Sequence, residues 1–207
     1  MYTVMVTGGL GSGKSTLVDL LCERGAVSID LDEINRTLLS SNEDYVGELV
    51  ERFGEGILDE EGAVITAELA KRAFADEASE RALNAIAFPY ITELANEYIL
   101  DVHCTPRSDA KVLVVEVPLL TEVPEFARLA DEVIAVNVPS ELRLQRAIAR
   151  GMDAADALAR LAVQATDAQR SAIADTLCDN DGTREELAAW ADAWWEQTMA
   201  KLDASKA

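Results

Sequence analysis

The segment VTGGLGSGKST, residues 6–16, constrains this chain more than any other. Gly8, four residues, Gly13, Lys14 and Ser15 fill every position of the pattern G-x-x-x-x-G-K-[ST]. The run YTVMV before it is short, β-branched and apolar, which predicts a buried strand. After it, TLVDLLCERG carries Leu17, Leu20 and Leu21 at helical spacing and stops at Gly25, a residue suited to a helix C-terminal cap. Strand, glycine loop, helix is the arrangement of a phosphate cradle. Gly8, Gly9, Gly11 and Gly13 let the backbone turn so that its N–H groups converge on an anion, and Ser12 lies among them. Lys14 brings a mobile positive charge to the β and γ phosphates of a nucleotide. Ser15 is placed to hold magnesium, and Thr16 continues into a helix whose positive dipole end faces the same anion. The expected ligands are a purine nucleoside triphosphate and Mg2+.

Other readings are excluded by bulk properties. The 207 residues suffice for one domain with a sizeable core, and no apolar stretch approaches the ~18 residues of a membrane span. A formal charge of −20 argues against nucleic-acid binding, which calls for a basic stripe. It also requires any polyphosphate site to concentrate its cations locally. The beginning, MYTVMVTGG, has no basic leader region and enters the first strand directly. Cys22, Cys104 and Cys178 are scattered with no C-x-x-C pair, which fits a cytoplasmic protein with free thiols. The sequence specifies no oligomeric state.

Along the chain, AVSID (26–30), KVLVVEVPLL and ADEVIAVNVP read as further buried strands, and DTLCDNDG as a short last strand and turn. Residues 43–75 read as helical, broken by FGEGILDEEG. Residues 78–102 form a long helical stretch that Pro89 should kink or divide. HCTPRSDA is expected to be a polar loop holding His103, the sole histidine. SELRLQRAIAR predicts a helix with Ser140 as N-cap, two short helices follow in 153–172, and REELAAWADAWWEQTMAKL is a terminal helix. Strands alternating with helices imply an α/β fold, a five-stranded parallel sheet of P-loop NTPase type covered on both faces. The expected division is a nucleotide-binding core (1–30, 111–150 and 173–207), an inserted helical acceptor lobe (31–110) and a short lid (151–172).

Several residues could carry chemistry. Asp30 and Asp32 end the second strand. A carboxylate there can orient an attacking hydroxyl, or favour a helix N-terminus. Asp32 is assigned to function, and Asp30 stays open between the two. Glu116 ends an apolar strand, where an acid reaching magnesium through water is expected. Arg143, Arg146 and Arg150 follow one helix at three- and four-residue spacing. Arg146 and Arg150 are assigned to transferring phosphates and Arg143 to surface pairing with acids such as Glu141 or Asp153, while Arg160 and Arg170 are weaker candidates. Trp190, Trp194 and Trp195 read as packing.

The pieces TGGLGSGKST, SIDLDEINRTL, RFGEGIL, RALNAIAFPYI, VEVPLLTE, LRLQRAIAR, LAVQAT and IADTLCDNDG, in this order from about residue 6 to 182, resemble the dephospho-coenzyme A kinase family. The resemblance implies transfer of the ATP γ-phosphate to the 3′-hydroxyl of the dephospho-CoA ribose, the last step of coenzyme A synthesis. Lys14, Asp32 and Arg146 would then be catalytic. Phe88, Pro118 and Leu119 would face the acceptor, Arg36 and Glu122 would be acceptor-side or structural partners, and Gln164 would follow the lid. The chain departs from the family's usual pattern at Phe88, before Pro89, where histidine is customary, and at Thr66, where arginine is. Glu116 stands for the more usual aspartate, and Asp167 for a basic or polar residue.

Overall fold

The computed structural model describes residues 1–104 and 109–205, in two compact units: Met1–Ile29 with Pro106–Ala207, and Asp30–Thr105. The first unit is built on a five-stranded parallel sheet in the order β2-β3-β1-β4-β5, with β1 Tyr2–Gly8, β2 Val27–Asp30, β3 Val112–Glu116, β4 Glu132–Asn137 and β5 Thr176–Asp179. The three central strands are valine-rich because both of their faces are covered. Val4 and Val6 lie beside Val114 and Glu116 of β3, and beside Glu132 and Ile134 of β4. Leu17, Leu20 and Leu21 of α1 (Lys14–Glu23), with Leu187, Ala191 and Trp194 of α9 (Arg184–Ala204), pack onto that valine layer.

Two Ala-Asp pairs set the sheet's register. Asp131 accepts the Thr3 N–H at 2.8 Å through its carboxylate and donates its own N–H to the Thr3 carbonyl at 2.8 Å. Asp175 repeats this on Val133, at 2.8 and 2.9 Å. Each aspartate thus supplies a buried strand start with both missing partners. Beside them the buried carboxylate of Glu132 accepts from Tyr2 Oη, Thr176 Oγ1 and the indole Nε1 of Trp194, at 2.8, 2.6 and 3.0 Å. Trp194 is therefore core, as its spacing predicts. The helices α6 (Ser140–Ala149), α7 (Ala154–Val163) and α8 (Asp167–Ser171) complete this unit. Ser140 proves to be the first helical residue rather than the cap. Pro139 takes the cap position, and the Ser140 hydroxyl accepts from Arg143 instead.

The second unit comprises α2 (Leu31–Ser41), α3 (Glu43–Phe53), a 3-10 turn Glu55–Ile57, α4 (Thr66–Ala73) and α5 (Glu77–Cys104). Asp30 caps α2 by accepting the Asp32 N–H at 2.8 Å, and Asn42 caps α3 through the Tyr45 N–H at 2.9 Å. Pro89 does not divide α5, which runs unbroken for 28 residues. The bond lost at a mid-helix proline costs about 3 kcal/mol. Packing of α2, α3 and α4 along α5 offsets it. His103 sits in the last turn of α5 rather than in a loop, and residues 105–108 of the expected loop lie outside the described residues. Among the described residues no helix is long and apolar enough to cross a membrane.

Candidate active site

β1 ends at Gly8 and α1 begins at Lys14, so residues 8–13 form the loop the sequence predicts. Gly11 and Gly13 adopt φ of 72° and 89°, the left-handed region that disfavours a side chain. The loop is also crowded. A Cβ on Gly11 would lie 2.5 Å from the Arg143 carbonyl oxygen, and one on Gly13 would lie 2.3 Å from Asn180 Nδ2. Lys14 Nζ reaches the Gly9 carbonyl at 3.4 Å. Ser15 donates its hydroxyl to Glu116 Oε1 at 3.0 Å, so the two residues expected at magnesium are brought together. Thr16 follows in the first turn of α1.

The rest of the loop is braced by residues far along the chain. Gln164, between α7 and α8, accepts the Leu10 N–H at 2.9 Å. Asn180, just after β5, donates to the Ser12 carbonyl at 2.7 Å, and the Asn180 carbonyl accepts from Arg146 at 2.8 Å. Arg146 also donates to the Gly182 carbonyl at 3.3 Å. Its guanidinium, expected at transferring phosphates, thus holds the 180–182 loop. Arg150 lies, with Leu10, Gly11, Ala147, Met152 and Asp153, around an open cavity of about 420 Å³.

Arg143 departs most from expectation, and Arg170, a lesser candidate for phosphates, lies beside it. Arg143 is no surface residue. It is 5% exposed, 3.6 Å from Asp167, and faces Gly9 with Nη1 only 2.1 Å from where a Cβ there would be. Arg170, 2% exposed, bonds Asp167 at 2.8 Å, and its Nη2 lies 3.0 Å from the same point. Burial, and after it the charge of Arg143, draws the Arg170 guanidinium below its usual range, while Asp167 pulls the other way. The signal for both lay in the charge balance. A chain of net charge −20 that binds polyphosphate must keep cations near its cradle, and α6 and α8 carry them. Asn180 was missed because a single asparagine in a turn has no pattern of its own.

Pro118, Leu119 and Glu122 occupy turns after β3, where the Glu122 N–H bonds the Leu119 carbonyl at 2.9 Å. In the second unit, Asp32 lies exposed in the first turn of α2, and Asp30 is the helix cap that one of its two readings anticipates. Arg36, one turn on, lies 3.8 Å from Asp30 in an exposed pair of little energetic weight. Phe88 is half-buried on α5, and Thr66 is exposed at the start of α4.

The dephospho-CoA kinase profile matches residues 2–186. The chain belongs to the dephospho-CoA kinase family. The dephospho-CoA kinase of Corynebacterium jeikeium is 39% identical over 94% of this chain and 98% of its own. That of Thermobifida fusca is 37% identical over 98% of each. A crystal structure of TT1252 from Thermus thermophilus, 28% identical, covers 97% of both chains with a TM-score of 0.74. A shikimate kinase from Acinetobacter baumannii, 18% identical with a TM-score of 0.51 over 97% of this chain, shares the fold alone.

Proposed function

We propose that this family member transfers the γ-phosphate of ATP to the 3′-hydroxyl of the dephospho-CoA ribose. The observation that carries the reading is the complete glycine loop, with Lys14 and the Ser15–Glu116 pair in place, in a chain that matches the family over nearly its whole length. The loop amides and the α1 N-terminus would bind the triphosphate, with Gly8, Gly9, Gly11, Ser12, Gly13 and Thr16 forming the cradle. Lys14 would follow charge onto the β and γ oxygens as the bond to the leaving ADP breaks. Arg146 of α6 and Arg150 at its C-cap would serve the nucleotide, Arg146 by fixing the 180–182 loop.

Ser15 and Glu116 offer a hydroxyl and a carboxylate, hard oxygen donors that suit Mg2+. Among the described residues no group of three or more His, Cys, Asp or Glu could hold a metal. Ser15 would hold such a cation directly and Glu116 through water. When bound, such a cation neutralises charge on the β and γ phosphates.

Asp32 is the base in this reading. It accepts or orients the proton of the attacking hydroxyl from the first turn of α2, where an acid suits the helix N-terminus. Arg36, Phe88, Pro118, Leu119 and Glu122 are assigned to the acceptor side. Free Cys22, Cys104 and Cys178 support a cytoplasmic setting, where thiols stay reduced. The test is an acceptor panel with ATP and magnesium: dephospho-CoA, shikimate, gluconate and nucleosides. ADP release that depends on dephospho-CoA alone supports the assignment; release driven by another acceptor moves Phe88 and Thr66 into an altered site.

A further inference from the structure

Two buried guanidinium groups, Arg143 and Arg170, share one partly exposed carboxylate, Asp167. The trio carries one positive charge in excess, beside Gly9 of the phosphate loop. Arg143 is also incompletely bonded. Its Nη2 donates to Ser140 Oγ at 3.1 Å, yet Nε and Nη1 are buried with no partner. The Ser12 hydroxyl, within the same loop, is likewise buried without one. Buried donors are nearly always satisfied, and a buried charge more strictly still. Three unused N–H bonds on a 5%-exposed arginine call for an acceptor, and the trio's excess positive charge favours an anion.

We propose that Arg143 is a polyphosphate-binding residue, whose unpartnered N–H groups and charge meet phosphate oxygens of the anion held by the loop, with Asp167 and Arg170 fixing the guanidinium beside Gly9. The inference rests on the nucleotide-binding reading above, but not on the identity of the acceptor. It gives Gly9 a reason beyond loop geometry, since the tips of both arginines fill the space any side chain would need. It also gives Asp167 a role, as the acid that lets two like charges coexist. Arginine suits the place because its planar fork presents several donors to one phosphate at once.

The probe is inorganic tripolyphosphate with magnesium, which carries neither adenosine nor acceptor. Calorimetry on the full chain should show Arg143→Gln binding it about ten- to a hundredfold more weakly than the parent. Arg143→Lys, with the charge but not the fork, should fall between. The melting temperature of the ligand-free Arg143→Gln protein should hold or rise, because an unsatisfied buried charge has gone. Unchanged affinity in Arg143→Gln, with or without a fall in melting temperature, makes Arg143 a structural strut and overturns the proposal. A second measurement needs no foldable glutamine variant. In protein labelled with ¹⁵N at arginine, the Arg143 Nε–H signal, assigned by its loss in Arg143→Lys, should shift and become protected from exchange on adding tripolyphosphate. An unmoved signal overturns the proposal equally. Arg143-dependent tripolyphosphate binding in a chain that makes no CoA would remove the acceptor assignment and leave this one standing.

Discussion

Two glycine-to-alanine substitutions should move stability in opposite directions. At Gly11 the backbone φ is 72°, where an alanine costs about 1–2 kcal/mol. The new Cβ would also sit 2.5 Å from the Arg143 carbonyl oxygen, against the 3.4 Å of an ordinary contact. That oxygen is backbone of α6 and cannot swing aside as a side-chain tip can. The overpacking adds about 1–3 kcal/mol, for a total of roughly 2–5. At this chain length each kcal/mol moves Tm by about 2–4 °C, so Gly11→Ala should melt about 4–20 °C lower and bind ATP more weakly. Gly47 lies exposed in the middle of α3 with nothing within 4 Å of its would-be Cβ. Alanine there should add about 1 kcal/mol and raise Tm by about 2–4 °C. Scanning calorimetry of the two variants beside the parent is sufficient. Equal shifts, or a Gly11→Ala protein within a degree of the parent, would refute the claim that α6 is clamped against the loop.

Asp32→Asn should retain ATP affinity and lose about 10²–10⁴ in turnover, measured by coupled ADP release; near-parent turnover removes Asp32 from the mechanism. Lys14→Ala should lose both nucleotide affinity and rate, and unchanged values in calorimetry and steady-state assays would overturn the phosphate-loop assignment. Burial raises the Tyr45 phenol from 10.0 to about 12. A raised folded-state pKa means a stabilising contribution that is full below pH 10 and lost as pH climbs towards 12. Tm should therefore fall more steeply between those values in the parent than in Tyr45→Phe, and parallel profiles would contradict the assignment.

The three central strands were legible because each announces itself by local pattern: VMV, VLVV and VIAV are apolar runs of the kind a doubly covered strand needs. The glycine loop was legible for a similar reason, since all its requirements fall within nine consecutive residues. Of the two outcomes expected at Pro89, division of the helix does not occur, because the local rule ignores three helices packed along α5. Arg143 was placed on the surface, and Arg170 ranked below Arg146, for the converse reason. Their neighbour is Gly9, more than 130 residues earlier, and helical spacing could say only that Arg143 and Arg146 lie near one face. The sequence separates Arg146 from Arg143 by three residues, yet one holds the 180–182 carbonyls and the other the phosphate loop.

In this reading phosphate leaves ATP and arrives on dephospho-CoA. The purified chain, mixed with ATP, magnesium and dephospho-CoA, should yield ADP and CoA in a one-to-one ratio when both are followed by chromatography. ADP without CoA, or neither product, would contradict it.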